Sequence, residues 1–581
     1  MASRPSSRYP RASSRGSHSH QFDETAALVP ASGSRVTFIL ILFSLVALVG
    51  AGRLAYLSLI AGPDNAAEAI ASRTQTIQVE AKRGTIYDRN GKVLATTIDA
   101  TTIYCNPSEV TDPEGDANLL AGELGGAASD YIDALSKSDS SFAYLYRKAD
   151  KDTAARIKDM KLAGIYFLAD SKRVYPYGQV AGQVIGLCDV DGKGVSGLEL
   201  YYDETLAGTS GEMRIERGGN GYAVAGGLTE VRQAQDGKDI VVSLDVDMQE
   251  RLETRLTEEV SELSGKRGDA LLYDGATGEV IACASTPYLN PGDRSSVKEG
   301  STSLMPVSVA YEPGSIFKGV TMAAILEAGV LSPESELYCP SSLPADEYTV
   351  TDAHDRVGET MTLTQILARS SNIGTSLAAK QLGFRQLYHK IQAYGLTEAT
   401  GIDFPGESAG YCTDVSTWST IQSYNVSFGQ GLTVTPLQMA RFYGALANGG
   451  VAYQPHFLLS GNTPDSQSDS SWEEGQIFEN TEALAPLEGM LQEVVAKGTG
   501  KKAQIEGFKP AGKTGTAQYT DNSGRYASDR YNISFIGYIP ASTSKLVCFV
   551  GVTEVPGDAS TASAFKDIMS FAINRYKITA Q

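Results

Sequence analysis

Residues 311–319 read YEPGSIFKG, and the apolar spacing of residues 316–331 after the Glu-Pro-Gly turn is typical of a helix. Ser315 opens this helical pattern, and Lys318 follows three residues later, so the two side chains share one face. A serine hydroxyl is a weak nucleophile until a neighbouring base takes its proton, and a lysine amine can be that base. The stretch therefore predicts either a serine N-cap or a nucleophile with its base.

The Ser-x-x-Lys pattern also occurs at Ser295 with Lys298 and at Ser542 with Lys545. The first lies in loop composition, and the second lies in a turn before an apolar run. We expect both of these lysines to be solvated. Ser315 is therefore the candidate nucleophile of the three serines.

Two further polar signatures follow in the chain. Ser370-Ser-Asn372 lies between the helical patterns MTLTQILARS and IGTSLAAKQLG, where polar side chains can point into a cleft or cap a helix. Lys513-Thr-Gly-Thr516 reads as part of a strand. Gly515 in that strand allows a ligand backbone to approach closely.

In this order the three signatures resemble those of the penicillin-binding transpeptidase domain, which is related to the active-site serine β-lactamases. The resemblance extends to FGQGLTVTPLQMARFYGALANGG at 428–450, VVAKGTG at 494–500 and AGKTGTAQ at 511–518. It implies a catalytic domain of the α+β or α/β class, with an antiparallel sheet flanked by helices.

The resemblance also implies a role for each catalytic residue. Ser315 would attack the carbonyl of the penultimate D-alanine of a peptidoglycan stem peptide, and Lys318 would accept its proton as a neutral amine. Burial and a neighbouring cation such as Lys513 would lower the lysine pKa enough for this. Ser370 would pass the proton to the departing D-alanine, while Asn372 would orient Lys318 or the substrate amide.

Substrate binding is assigned in the same way. Lys513, Thr514 and Thr516, with Gly515 between the threonines, would hold the terminal carboxylate of the substrate. The backbone N–H groups of Ser315 and Thr516 would form the oxyanion hole.

The N-terminal region predicts a membrane anchor. Residues 36–52 are uncharged and mostly apolar, and the apolar pattern continues past Arg53 to residue 61. The Ser-rich tail, 1–35, carries five arginines against Asp23 and Glu24, so it should stay in the cytoplasm and the catalytic domain should lie outside. A cleaved signal peptide is the alternative, although its apolar stretch is usually shorter.

The stretch AKRGTIYDRNGKVLATT at 81–97 predicts a β-hairpin. Its wording resembles the opening of the pedestal in class B penicillin-binding proteins, as do GLCDVDGKGVSGLELYYDETLAGTSGE at 186–212 and VVSLDVDMQ at 241–249. We expect a mostly β pedestal, related to dimerisation domains, over 62–265 and a transpeptidase domain over 266–581.

The composition excludes other classes of function. The formal net charge of −19 argues against a nucleic-acid partner. The six cysteines have no Cys-x-x-Cys spacing and the five histidines form no cluster, so we expect neither a metal nor a cofactor. Cys283 and Cys548 lie in strand patterns and should be buried thiols, while a bond between Cys339 and Cys412 is left open.

The resemblance thus predicts a peptidoglycan D,D-transpeptidase that is acylated by β-lactams and acts in septal wall synthesis. An elongation transpeptidase is the alternative, and a β-lactamase, a β-lactam sensor or a non-catalytic division scaffold fits less well. The expected partners are stem peptides, β-lactams, the cytoplasmic membrane, a glycan polymerase of the SEDS type and other division proteins.

Overall fold

The structure is a computed structural model that describes residues 33–60, 74–137, 139–216, 229–460, 472–520, 526–540, 542–557 and 559–580. The predicted tail, 1–35, lies almost entirely outside these residues. The chain forms two compact units, Met1–Ile77 with Met213–Glu230 and Gln78–Glu212 with Val231–Gln581. The domain boundaries expected from the sequence stay predictions.

The helices are α1 (Gly33–Ala55), α2 (Pro113–Leu124), α3 (Ser129–Leu135), α4 (Lys151–Asp159), α5 (Gly182–Ile185), α6 (Gly197–Tyr201), α7 (Asp203–Ala207), α8 (Val246–Glu262), α9 (Met305–Ser308), α10 (Lys318–Glu327), α11 (Leu363–Ala368), α12 (Asn372–Leu382), α13 (Phe384–Ala393), α14 (Thr420–Ser427), α15 (Pro436–Ala447), α16 (Leu484–Ala496) and α17 (Ala562–Tyr576). The strands are β1 (Thr74–Val79), β2 (Ile86–Tyr87), β3 (Val93–Cys105), β4 (Ala143–Ala149), β5 (Ile165–Val174), β6 (Gly211–Glu216), β7 (Thr229–Arg232), β8 (Ile240–Val242), β9 (Arg267–Asp274), β10 (Val280–Ser285), β11 (Glu336–Cys339), β12 (Leu343–Ala345), β13 (Tyr348–Val350), β14 (Glu359–Thr362), β15 (Tyr411–Cys412), β16 (Leu432–Thr433), β17 (Val451–Tyr453), β18 (Leu458–Ser460), β19 (Glu474–Gln476), β20 (Ala511–Thr520), β21 (Tyr526–Tyr538) and β22 (Leu546–Pro556).

The first unit is dominated by α1, which continues as a π-helical turn over Tyr56–Ile60. The segment Ser34–Ile60 has 27 residues and a mean hydropathy of 2.3, and its most apolar part is fully exposed. At 1.5 Å per residue it is roughly 40 Å long, which exceeds the ~30 Å hydrocarbon core of a bilayer. Length and composition therefore suit a membrane-spanning helix.

The second unit contains a five-stranded sheet in the order β10-β9-β22-β21-β20, with every neighbouring pair antiparallel. The central strands are apolar on both faces because helices cover both sides. Leu271 and Phe549 belong to the core that includes α10 and α15, whereas Leu272 and Val550 belong to the core that includes α8 and α17. This arrangement confirms the predicted antiparallel sheet between helical layers.

A second sheet has the order β18-β8-β2-β3-β4, and β5 also pairs with β3. The predicted hairpin at 81–97 is confirmed by the antiparallel pairing of β2 with β3. Helices α2 to α4 cover one face and share a core with it that includes Ile103, Leu120 and Ile157. The predicted pedestal region thus carries helices alongside its strands, and its sheet is completed by β18 from the C-terminal half of the chain.

Buried polar contacts connect this sheet region to the five-stranded sheet region within the second unit. Asp403, 1% exposed, accepts hydrogen bonds from the N–H groups of Phe457 and Leu458 and from Tyr202 Oη at 2.6 Å. Gln183 Oε1 accepts the N–H of Ser285 at 3.0 Å. These contacts satisfy buried polar groups and fix the position of one sheet region relative to the other within the second unit.

All six cysteines are free thiols in the structure, so Cys339 and Cys412 are not joined. Cys283 and Cys548 are fully buried in β10 and β22, as predicted.

A buried ion-pair network around Glu199 should stabilise the N-terminal part of the second unit. Glu199 is 0% exposed and pairs with Arg83 Nε at 2.6 Å and Arg173 Nε at 2.7 Å. Glu199→Ala would leave the buried Arg173 without its partner, while Arg83 keeps its pair with Asp203 at 2.7 Å, so we expect the free energy of unfolding to fall by about 3–5 kcal/mol. The measurement is thermal and denaturant unfolding of the full chain in detergent.

The matched control is Asp191→Ala, which removes a pair with Arg147 at 2.9 Å in which Asp191 is 77% exposed. A solvated pair contributes at most about 1 kcal/mol, so this variant should unfold like the wild type. Equal effects of the two substitutions would contradict the expectation that the buried ion pairs stabilise the protein more than the exposed pair does.

Candidate active site

Ser315 lies in a 3-10 turn over Gly314–Phe317, and α10 begins only at Lys318. The sequence predicted one helix from Ser315 onward, whereas the structure has a 3-10 turn at Ser315 and the helix begins after it. Gly314 has a φ of +56°, and a Cβ there would lie 2.8 Å from the carbonyl oxygen of Thr516, so a larger residue does not fit. Neither the turn nor α10 has a side-chain N-cap, so the capping alternative for Ser315 is wrong.

Lys318 is 0% exposed and points into the junction between α11 and α12. Its Nζ donates to the carbonyl oxygen of Ser370 at 2.6 Å and to Asn372 Oδ1 at 2.7 Å, and it lies 3.1 Å from Ser370 Oγ. Three of the predicted site residues are therefore in direct contact.

Ser370 has a φ of +58°, which is a left-handed conformation that costs a serine free energy. This conformation directs both its carbonyl oxygen and its hydroxyl to the same amine. The next residue, Ser371, begins α12 by accepting the N–H of Gly374 at 2.9 Å, so the capping role predicted as an alternative falls to Ser371.

Lys513 is also 0% exposed and lies on β20, the edge strand of the five-stranded sheet. Its Nζ donates to Ser370 Oγ at 2.9 Å, to the carbonyl oxygen of Thr514 at 3.0 Å and to Thr514 Oγ1 at 3.3 Å. Ser370 Oγ thus lies between two buried lysine amines.

The two amines share one low-polarity environment. Burial lowers the pKa of Lys318 to about 7, and the nearby Asp352 charge only partly opposes this. Burial, followed by the charge on Lys318, holds the pKa of Lys513 well below its ordinary value. The sequence predicted that burial and Lys513 would both lower the pKa of Lys318. Burial does lower it, whereas the repulsion between the two lysines lowers the pKa of Lys513 instead.

The remaining residues of the third signature line the same edge. Thr514 Oγ1 lies 2.6 Å from Thr499 Oγ1, which comes from the VVAKGTG stretch. A Cβ at Gly515 would lie 2.2 Å from Ser534 Oγ and 3.0 Å from Ile316 Cγ2, so β20 packs directly against the turn that contains Ser315. Thr516 follows on the same strand, and its carbonyl oxygen lies against Gly314.

Sequence reasoning missed Asp352, which holds the Ser370–Asn372 segment in place. Its carboxylate accepts the Ile373 N–H at 3.0 Å, Ser371 Oγ at 2.9 Å and Arg356 Nε at 2.6 Å. Burial disfavours the charged form, but these three donors keep the pKa of Asp352 below its ordinary value. Asp352 is 18 residues from Ser370 in a loop without periodicity, so only the fold reveals the contact.

The other Ser-x-x-Lys sequences lie elsewhere. Ser295 and Lys298 are exposed, as predicted, and Ser295 Oγ donates to Asp293. Ser542 is buried and donates to the carbonyl oxygen of Ile539, while Lys545 is half-buried rather than fully solvated.

The family model described as the penicillin binding protein transpeptidase domain matches residues 268–570, which contain all three signatures. A second model, described as the penicillin-binding protein dimerisation domain, matches residues 78–242. The chain belongs to the penicillin-binding protein family. The matched regions and the two-sheet architecture make it a class B penicillin-binding protein.

Named relatives agree with this assignment. The chain is 31% identical to penicillin-binding protein PbpB of Mycolicibacterium smegmatis, over 88% of this chain and 86% of that one. It is 30% identical to peptidoglycan D,D-transpeptidase FtsI of Escherichia coli, over 91% and 89%. The structure resembles penicillin binding protein 3 of Mycobacterium tuberculosis complexed with aztreonam, with a TM-score of 0.68 and 27% identity over 87% and 98% of the two chains.

This penicillin-binding protein is therefore a serine-type peptidoglycan D,D-transpeptidase that β-lactams acylate. The apolar helix α1 makes it a membrane-anchored enzyme.

Proposed function

We propose that Ser315 is the nucleophile of this transpeptidase and that Lys318 is its general base. The observation that carries the proposal is the contact of two fully buried lysine amines, Lys318 and Lys513, with the single hydroxyl of Ser370, since Lys318 begins the helix that directly follows the Ser315 turn. An amine with a pKa near 7 is neutral in a useful fraction of molecules at neutral pH, so it can accept a proton.

The hydrogen bonds of Lys318 show how the neutral amine would be oriented. A neutral amine has two N–H groups, and its two shortest contacts are the carbonyl oxygen of Ser370 and Asn372 Oδ1. Its lone pair is then left to accept a proton from a hydroxyl. Asn372 therefore acts by orienting the base, and the Thr351 carbonyl oxygen holds the Asn372 amide at 3.0 Å.

The acylation step follows from these positions. Ser315 Oγ forms a bond to the carbonyl carbon of the penultimate D-alanine, and its proton moves to Lys318 Nζ. The amide C–N bond then breaks, and the departing D-alanine amine receives the proton through the Ser370 hydroxyl. The backbone N–H groups of Ser315 and Thr516 stabilise the negative oxygen of the tetrahedral intermediate.

The terminal carboxylate of the donor peptide would bind along β20. Thr514 and Thr516 supply hydroxyls, Gly515 allows the substrate backbone to lie close to the strand, and Lys513 completes the proton relay and the positive field. An amine from a second stem peptide then attacks the acyl-enzyme and forms the cross-link.

The role in the cell and the orientation in the membrane are part of the same proposal. The chain would be a single-pass protein with residues 1–35 in the cytoplasm, a span at 36–61, a pedestal at 62–265 and the transpeptidase domain at 266–581 outside. The wording of GLCDVDGKGVSGLE and VSFGQGLTVTPLQMA favours septal synthesis over elongation, with a SEDS-type polymerase and other division proteins as partners.

Replacing the nucleophile should abolish acylation. Wild-type enzyme incubated with a fluorescent penicillin should form a lasting covalent adduct, whereas Ser315→Ala should form none, because no other hydroxyl lies on the turn preceding Lys318. Labelling is read from a denaturing gel.

Ser295→Ala is the matched control, because it removes the serine of another Ser-x-x-Lys sequence at an exposed site, and it should label like the wild type. A labelled Ser315→Ala variant would contradict the assignment of the nucleophile. Rapid turnover of the wild-type adduct would instead indicate a β-lactamase.

Acylation should depend on pH through Lys318. Below its pKa of about 7 the amine carries a proton and cannot accept another, so the acylation rate should fall about tenfold per pH unit there and level off above it. Asp352→Asn removes a charge that raises the pKa of Lys318, so the inflection should move to lower pH. Stopped-flow acylation from pH 5 to 9 gives the profile.

Asp355→Asn changes an exposed carboxylate in the same loop and serves as the control, with an unchanged inflection expected. An inflection that is the same in all three proteins would show that Lys318 does not limit the rate.

An N-terminal fluorescent fusion tests orientation and cellular role together. A fluorescent protein that matures only in the cytoplasm should be bright on residue 1, because the basic tail stays inside. The fluorescence should concentrate at mid-cell during division. If the fusion protein is intact but dark, its N-terminus lies outside the cytoplasm and the proposed orientation is wrong. A side-wall pattern would favour the elongation role.

A further inference from the structure

Glu312 lies three residues before Ser315 and is absent from the three signatures. Its Oε1 accepts the N–H of Gly431 at 2.7 Å. Tyr526 Oη lies 2.9 Å from Oε1 and 3.1 Å from Oε2. The Glu312 carboxylate therefore connects its own segment, which leads into the Ser315 turn, to two other segments of the chain.

The first of the two other segments is residues 429–434, called the strap, which runs beside the nucleophile turn at Gly314–Phe317. Gly314 N–H donates to the carbonyl oxygen of Gly429 at 2.9 Å, and Tyr311 and Val434 exchange two backbone hydrogen bonds at 3.0 Å. The Gly431 carbonyl oxygen is held by Gln422 Nε2 at 2.8 Å. The Glu312 bond to Gly431 therefore adds a side-chain tie to a backbone already paired on both sides.

The second segment is the hairpin of β20 and β21. Tyr526 is the first residue of β21 and pairs with Thr520, the last residue of β20. Thr514, Gly515 and Thr516 lie earlier on β20. The Tyr526 hydroxyl thus connects the far end of the substrate strand to the residue that leads into the nucleophile turn.

The carboxylate of Glu312 is half-buried, and burial disfavours its charged form. None of the ion pairs between residues that the structure describes involves Glu312, and burial raises its pKa while the Gly431 and Tyr526 bonds partly oppose this. A half-buried carboxylate without a cation is disfavoured unless donors satisfy it. Here both donors come from the elements that frame the active site, so the acid stabilises their relative position.

We infer that Glu312 is a positioning residue that fixes the β20–β21 hairpin and the 429–434 strap to the nucleophile turn through Tyr526 and Gly431. A substrate bound along β20 is then held at a constant distance from Ser315. Because the rate of acylation depends steeply on that distance, loss of the tie slows the chemical step more than it weakens binding. The inference rests on the proposed role of Ser315.

A double-mutant cycle tests the tie in the full-length enzyme in detergent. Glu312→Gln and Tyr526→Phe should each lower the acylation rate constant for a fluorescent penicillin about tenfold. The first removes the charge that accepts the Gly431 and Tyr526 bonds, and the second removes the Tyr526 bond. The double variant should be no slower than the slower single variant, which gives a coupling of about tenfold. The half-saturating penicillin concentration should change by less than threefold.

The matched control is the pair Glu109 and Tyr166, which makes the same kind of contact in the N-terminal part of the second unit. Glu109→Gln and Tyr166→Phe should leave the acylation rate unchanged. Melting temperatures are measured for all variants, because a purely structural role would lower them without a coupled effect on the rate constant.

Independent, multiplicative effects of Glu312→Gln and Tyr526→Phe would overturn the inference, as would wild-type rates in either single variant. Peptide mapping of the residual adduct separates this result from the proposed function. An adduct on Ser315 with no coupling refutes the tie alone, whereas an adduct on another residue refutes the nucleophile assignment.

Discussion

The burial of two lysine amines around one serine hydroxyl is the constraint on which the rest of the active site depends. Lys318 and Lys513 are both fully buried, and both contact Ser370 Oγ. Two adjacent ammonium groups cannot be desolvated together at a tolerable cost, so the site favours the neutral form of at least one amine. A neutral amine can accept a proton, which is the property that the proposed mechanism needs.

Several distant elements must meet for this to happen. The turn before α10 supplies Ser315, and the first residue of α10 is Lys318. The junction of α11 and α12 supplies Ser370, and the edge strand β20 supplies Lys513. Gly314 and Gly515 lack a Cβ where these elements touch, which lets the strand approach the turn. Asp352 fixes the helix junction, and the Glu312 carboxylate lies where the turn, the strap and the hairpin meet.

The pairing of strand β18 with β8 connects parts of the second unit that are far apart in the sequence. A strand from the C-terminal half completes the sheet that also contains the N-terminal hairpin. Asp403 then satisfies backbone groups at the start of β18 and the hydroxyl of Tyr202. The region matched by the dimerisation-domain model is therefore bonded to the catalytic region rather than tethered to it.

The sequence alone determined the catalytic candidates, because the three signatures around Ser315, Ser370 and Lys513 resemble, in this order, those of the penicillin-binding transpeptidase domain. It also determined α1 and the hairpin at 81–97 from local apolar and turn patterns, and the resemblance to the transpeptidase domain predicted the antiparallel sheet. Only the tertiary structure decided which hydroxyl the two lysines share, that Ser371 rather than Ser315 caps a helix, and that Asp352, Thr499 and Glu312 belong beside the site. The physical reason is that burial and hydrogen bonding between segments far apart in the chain depend on packing, which leaves no period or spacing in the sequence.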